Sequence, residues 1–309
     1  MERPILEVEH LSLSFTQYRG LLGRTQLPAI SDLSLRIHPG ELVAVVGASG
    51  SGKSLLAHAI LGILPYNASL TGALFYNGAP LTPQRQKAIR GKELLLVPQS
   101  VSYLDPLMKV GPQVRNGRRD EAARNRSRAV LARYGLDPQV EERYPFQLSG
   151  GMARRVLIST AVMEQPRLVI ADEPTPGLHP QAAQRVLGHF RELADQGAGV
   201  LLITHDLELA LTVAHRIVVF YAGTTLEEAP ASAFQEDNTL RHPYTRALWR
   251  AMPQHGFHAP EGSLFSPQNQ EEGCPFRQGC PEAREDCAGS IPYRQVEGGY
   301  VRCIGEVAP

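Results

Sequence analysis

Gly47-Ala48-Ser49-Gly50-Ser51-Gly52-Lys53-Ser54 is the segment that most restricts how this chain can fold. Its spacing, G-x-x-x-x-G-K-[ST], is that of a phosphate-cradling loop, and it has the flanks such a loop requires. Before it runs the wholly apolar Leu42-Val43-Ala44-Val45-Val46, as in a strand buried on both faces. After it comes the helix-like KSLLAHAILGIL. Strand, loop and helix in that order make one unit of an α/β fold with a parallel sheet. The chemistry explains the residue types. Glycines let successive backbone N–H groups turn inward around phosphate oxygens, and the helix N-terminus adds a favourable partial charge. Gly47, Ser49, Gly50, Ser51 and Gly52 supply the cradle; Lys53 is expected to reach the β- and γ-phosphates of a nucleotide, and the Ser54 hydroxyl to ligate Mg²⁺.

Elsewhere the pattern is mixed. ILEVEHLSLSF alternates apolar and polar from Ile5 to Phe15, and LSLRI (Leu33 to Ile37) repeats this after a turn-rich gap, which predicts an antiparallel sheet at the start of the chain. RLVIAD (Arg167 to Asp172) and GVLLITH (Gly199 to His205) read as two more buried parallel strands. From about Gln99 to Val162 strand signals stop and arginine-rich helical segments take over, which we read as a helical insertion. Its bases, Lys109, Arg115, Arg118, Arg119, Arg124, Arg126, Arg128 and Arg133, form a solvated helix face, with a headgroup-facing patch as the alternative. Beyond about Pro230 the composition turns to Pro, Gly, Gln and Glu, as in a separate loop-rich unit. The expected division is therefore a nucleotide-binding core over 1–98 and 163–230, a helical subdomain over 99–162 and an extension over 231–309.

Composition narrows the function classes. A chain of 309 residues with 43% hydrophobic content can bury a sizeable core. Thirty-one Lys and Arg against thirty-one Asp and Glu leave no basic excess, so no nucleic-acid partner is expected. No apolar run reaches the roughly eighteen residues of a membrane span, and MERPILEVEH carries acids where a signal peptide carries cations and an apolar core. A cytosolic location is expected.

A phosphate cradle alone only binds, and hydrolysis needs a further pair of groups. LVIADE supplies them by holding Asp172 and Glu173 at the end of an apolar strand. Asp172 can hold the Mg²⁺ shell while Glu173 orients or deprotonates the attacking water. Leu148-Ser149-Gly150-Gly151-Met152, ahead of a helical run and about a hundred residues beyond the phosphate loop, resembles the LSGGQ signature of ATP-binding-cassette (ABC) ATPases. Gln99, after ELLLVP, resembles the family's Q-loop glutamine, and His205 resembles its switch histidine. The resemblance runs from about Leu6 to Ala229. It implies a P-loop ABC ATPase core, a parallel sheet plus an antiparallel β subdomain, with ATP and Mg²⁺ as ligands. Ser54, Gln99 and Asp172 would hold the metal, and Glu173, His205 and Gln99 would be catalytic. It also implies that two cassettes pack head to tail, so that Ser149, Gly150 and Gly151 serve the ATP held by the partner. Phe15 matches the aromatic that stacks on adenine, with Tyr18 in reserve. Two positions depart from the family pattern: Met152 stands for glutamine, and His179 for the D-loop aspartate. A neutral or cationic imidazole cannot replace a carboxylate as acceptor, so unequal sites and pairing with a different ABC ATPase subunit are expected.

All four cysteines, Cys274, Cys280, Cys287 and Cys303, lie in the last thirty-six residues. With His242-Pro243-Tyr244-Thr245-Arg246-Ala247-Leu248 they resemble the C-terminal extension of the peptide and nickel importer group of ABC proteins. That resemblance implies two transmembrane permease subunits, an extracytoplasmic binding protein and a peripheral position on the cytoplasmic face of the membrane. Pro65, QSVSYLDPLMKVG and SGGM incline the reading to nickel, free or chelated, with dipeptides or oligopeptides as the alternative. A soluble ABC ATPase of DNA repair or translation, suggested by DEPTPGLHP, is the reading from another class. Four thiols in a reducing compartment point to metal ligation; an iron–sulfur cluster, zinc, disulfides and unligated thiols all stay open.

Overall fold

The computed structural model describes residues 3–19, 23–163, 166–256 and 273–305. The chain opens with a long hairpin, β1 (Leu6–Arg19) and β2 (Gly23–Ile37), so the turn-rich gap of the sequence is itself largely strand. Leu6, Val8, Leu11 and Leu13 are buried, a spacing that slips by one residue between Val8 and Leu11. The slip is a bulge: His10 has φ 49° and the β1–β2 register shifts there, which returns the apolar side chains to the same face. After β3 (Leu42–Val46) and α1 (Lys53–Leu61), β4 (Ala68–Tyr76) pairs with β1 and β5 (Ala79–Pro80) pairs with β4. These four strands form the antiparallel sheet β2-β1-β4-β5.

The remaining elements follow in chain order. They are α2 (Pro83–Ile89), β6 (Leu94–Val97), α3 (Val110–Val114), α4 (Glu121–Arg133), α5 (Gly150–Val162), β7 (Leu168–Asp172), α6 (Pro180–Asp195), β8 (Gly199–Thr204), α7 (Leu207–Leu211), β9 (Arg216–Tyr221), β10 (Thr224–Pro230), α8 (Pro243–Arg250), β11 (Arg294–Val296) and β12 (Gly299–Val301). The second sheet runs β11-β12-β10-β9-β3-β8-β7-β6. Its five strands from β9 to β6 are parallel.

Every residue of β3, β7 and β8 is buried, as the unbroken apolar runs require for strands covered on both faces. Alternate residues serve opposite cores. Leu42, Ala44 and Val46 join Val186, Leu187 and Phe190 of α6. Val43 and Val45 join Leu56 and Ile60 of α1 together with the inner face of the antiparallel sheet. The buried face of α6, Ala183, Val186, Leu187, Phe190 and Ala194, has the helical period, and Pro180 opens the helix where a missing N–H costs nothing.

Residues 99–162 contain no strand and have their own apolar cluster around Leu131, Val140, Val156 and Leu157. Of the eight bases noted there, Lys109 pairs with Glu142, Arg115 and Arg128 with Glu141, Arg118 with Asp120 and Arg133 with Glu192. This pairing favours the solvated-face reading. The extension differs from its sequence reading as a separate unit. β12 pairs with β10 at Glu227–Val301 and Glu228–Tyr300, so the tail adds two strands to the edge of the core sheet. Arg302 then donates to the carbonyl and carboxylate of Asp32 in β2 and to the carbonyls of Thr225 and Ile291. Among the described residues no helix is long and apolar enough to cross a membrane.

Candidate nucleotide site

Because β3, β8, β7 and β6 are parallel neighbours, the segments leaving their carboxyl ends share one edge of the sheet, where α/β folds place ligands. The phosphate loop leaves β3, Asp172 closes β7 with Glu173 next, His205 follows β8, and Gln99 stands exposed two residues beyond β6. Glycine is obligatory at two points of the loop. A Cβ on Gly47 would lie 2.0 Å from the Phe220 carbonyl oxygen of β9, and one on Gly52, which has φ 101°, would lie 2.7 Å from the Ala29 oxygen of β2. Lys53 is buried, and its Nζ donates to the carbonyls of Gly47 (2.7 Å) and Ala48 (2.8 Å). Burial holds this ammonium below the ordinary lysine value, against the pull of Glu173 and Asp172. The Ser51 hydroxyl is buried, with no hydrogen-bond partner among the described residues.

Ser54 Oγ donates to Asp172 Oδ1 at 3.0 Å, which brings together two of the oxygens expected to hold Mg²⁺. Burial raises the Asp172 carboxyl, partly offset by this bond. Glu173 Oε2 lies 2.8 Å from Nδ1 of His205, with the glutamate side chain 8% exposed and the imidazole 52%. Glu173 also sits at φ 46°, the left-handed region that an L-residue occupies at a cost of about 1–2 kcal/mol. Two backbone bonds hold it there: its N–H donates to the Ile203 carbonyl (2.9 Å), and its carbonyl accepts from Arg154 Nη1 (2.9 Å). Arg154 is a residue that the motif reading missed; its signal is one buried base in the apolar face of GGMARRVLISTAV.

Ser149 caps α5, accepting from the Met152 N–H at 3.3 Å, so Gly150 and Gly151 form the first turn behind partly buried Leu148. His179 is exposed at the start of α6 and makes no side-chain cap. Phe15 is half-buried on β1 between Leu27 and Ala68. The Tyr18 side chain lies outside the described residues.

A second cluster lies in the extension, where Cys274, Cys280, Cys287, Cys303 and His242 line one small cavity. Backbone N–H groups two residues on donate to three of the sulfurs, from Phe276 to Cys274, Glu282 to Cys280 and Gly305 to Cys303. Burial pushes the Cys274 thiol up to about 11 and raises Cys280. The donor set suits a thiophilic metal, yet among the described residues no three His, Cys, Asp or Glu side chains are drawn close enough to grip an ion.

Residues 30–176 match the ABC transporter family, and residues 226–287 match the oligopeptide/dipeptide transporter C-terminal region. The oligopeptide transport ATP-binding protein AppD of Bacillus subtilis is 32% identical over 97% of this chain and 96% of its own length. OppF of Haemophilus influenzae is 30% identical with the same coverage. OppD of Mycobacterium tuberculosis is 35% identical over 94% of this chain, which spans about half (49%) of that protein. Among solved structures, the dimeric bacterial ABC transporter cassette MJ0796 superposes with TM-score 0.64 at 25% identity, over 73% of this chain and 98% of the other. The chain belongs to the ABC transporter ATP-binding proteins of the peptide/nickel importer group, cassettes that bind and hydrolyse ATP. The relatives named here are peptide transport proteins, which favours the dipeptide and oligopeptide alternative over the nickel reading taken from the sequence.

Proposed function

We propose that this chain energises the import of dipeptides or oligopeptides through two permease subunits, fed by an extracytoplasmic binding protein. The observation that carries the substrate class is the oligopeptide/dipeptide transporter C-terminal region following the cassette in the same chain. The permeases would hold the chain at the cytoplasmic face of the membrane. Functionally it divides into the core of 1–98 and 163–230, the helical subdomain of 99–162 that carries the signature, and the extension of 231–309.

In this reading Lys53 leaves the carbonyls of Gly47 and Ala48 for phosphate oxygens, and the unpartnered Ser51 hydroxyl gains an acceptor. Phe15 stacks on the base. Ser54 and Asp172, already in contact, are the residues that with Gln99 would hold Mg²⁺, whose charge offsets that of the phosphates. Glu173 orients and deprotonates the attacking water, and His205 steers its carboxylate. The capped turn of Leu148, Ser149, Gly150, Gly151 and Met152 offers its N–H groups to the γ-phosphate held by the partner cassette. His179 offers no carboxylate across that interface, so the partner is a second, different cassette and the two sites are unequal. Cys274, Cys280, Cys287 and Cys303 share one cavity, but with no three of them drawn together among the described residues no metal cluster is assigned to the extension.

A strain deleted for this chain tests the substrate. Loss of labelled oligopeptide uptake, restored by the wild-type chain and not by Lys53→Ala, is expected. Loss of nickel uptake with peptide uptake intact would overturn the peptide reading.

A further inference from the structure

Arg154 is buried on a helix whose neighbouring inward side chains are apolar, and its hydrogen bond goes to the backbone carbonyl of Glu173. Burying a guanidinium costs free energy that a methionine of similar length would not. Its place in the fold gives that cost a use. α5 begins at the signature turn, and Arg154 lies five residues past the Ser149 cap, about 7–8 Å along the same rigid helix. The Arg154 bond therefore runs from the signature helix straight to the residue proposed as the base. That residue is in a left-handed conformation that needs to be held, with its N–H fixed by Ile203 of β8 and its carboxylate by His205.

We propose that Arg154 is a positioning residue for hydrolysis. By donating to the Glu173 carbonyl it fixes the backbone that aims the carboxylate. It also ties that aim to the position of the chain's own signature helix, the element that contacts nucleotide on the partner. Where the D-loop offers His179 in place of a carboxylate, the α5–Arg154–Glu173 connection is a route by which occupancy of one site reaches the base of the other. The proposal rests on the assignment of Glu173 as the base.

The test is steady-state ATP hydrolysis by the complete purified importer carrying variants of this chain. Arg154→Met removes the donor and the charge at nearly constant length, while Arg154→Lys keeps the charge and one donor. Arg154→Met is expected to lower kcat by about 10- to 100-fold, the scale of a misplaced catalytic group, with KM for ATP within about twofold. Arg154→Lys should recover most of the loss. Combined with Glu173→Gln, Arg154→Met should add almost nothing, because the carboxylate it aims is already gone. An unchanged kcat for Arg154→Met, an equal loss in the Glu173→Gln background, or a loss confined to KM each overturns the proposal. Should Arg154→Met fail to fold, Arg154→Ala decides, with a reduced kcat at normal KM expected and a wild-type kcat refuting. A wild-type importer without ATP turnover refutes the assignment of Glu173 itself, a failure visible before any variant is made.

Discussion

Replacing Gly47 by alanine places a methyl group against the main chain of a neighbouring strand, and the consequence can be worked out from the distances. The added Cβ would lie 2.0 Å from the Phe220 carbonyl oxygen and 3.0 Å from its carbon. An ordinary carbon–oxygen contact is about 3.3 Å or more, so β3 and β9 must part by roughly 1 Å at this point. No rotamer change relieves the clash, because the obstacle is backbone. Val46 and Val219 are paired one residue before each of these positions, so the ladder loosens there. Overpacking of about 1–3 kcal/mol and one weakened hydrogen bond of about 1 kcal/mol sum to roughly 2–4 kcal/mol. For a chain of this size that is a fall in Tm of roughly 3–6 °C. ATP affinity should fall at least about tenfold, since the loop is re-aimed at its first residue. Gly188 gives the control. It lies inside α6 with nothing among the described residues within 4 Å of an added Cβ, so Gly188→Ala should stabilise by about 0.5–1 kcal/mol. Calorimetric melting and nucleotide titration of both variants read the two signs. A Gly47→Ala protein that melts and binds like wild type would refute the described approach of the loop to β9.

Three further outcomes follow from the same geometry. Glu173→Gln should retain ATP binding while lowering turnover by about 10²–10⁴-fold, read by phosphate release beside equilibrium nucleotide binding. His189, edge-on to Tyr134 at 4.5 Å with Arg133 Nε donating to its Nδ1, is held by burial and then by Arg133 at about 4, below its ordinary 6.5. The fold prefers the neutral ring, so its contribution is complete above pH 6.5 and is lost as pH falls toward about 4. His189→Gln should flatten that part of the acid limb in a stability–pH series. Arg302→Ala removes donors to Asp32, Thr225 and Ile291 and should cost about 1–3 kcal/mol, with faster proteolysis beyond residue 230 as the second readout.

The parts of the site that local chemistry dictates were legible in the sequence. The octet Gly47 to Ser54 and the pair Asp172-Glu173 place their functional groups within a few consecutive residues, and the run Leu148 to Met152 stood out by its resemblance to the ABC signature. Long-range contacts were not legible. Nothing near Gly47 or Gly52 names Phe220 or Ala29 as the groups that exclude a side chain. Arg154 reads as one more base in an arginine-rich stretch until the fold brings it to Glu173. The extension read as separate because its composition is loop-like, whereas its attachment depends on two short strands that have no periodicity to detect. Nickel was preferred on Pro65, QSVSYLDPLMKVG and SGGM, whereas the relatives are named for peptide transport.

Proteoliposomes holding the complete importer, its binding protein and MgATP test the central claim most directly. The wild-type chain should drive accumulation of a labelled oligopeptide with release of phosphate, and Lys53→Ala in this chain alone should stop both. Accumulation that continues unchanged with Lys53→Ala would contradict it.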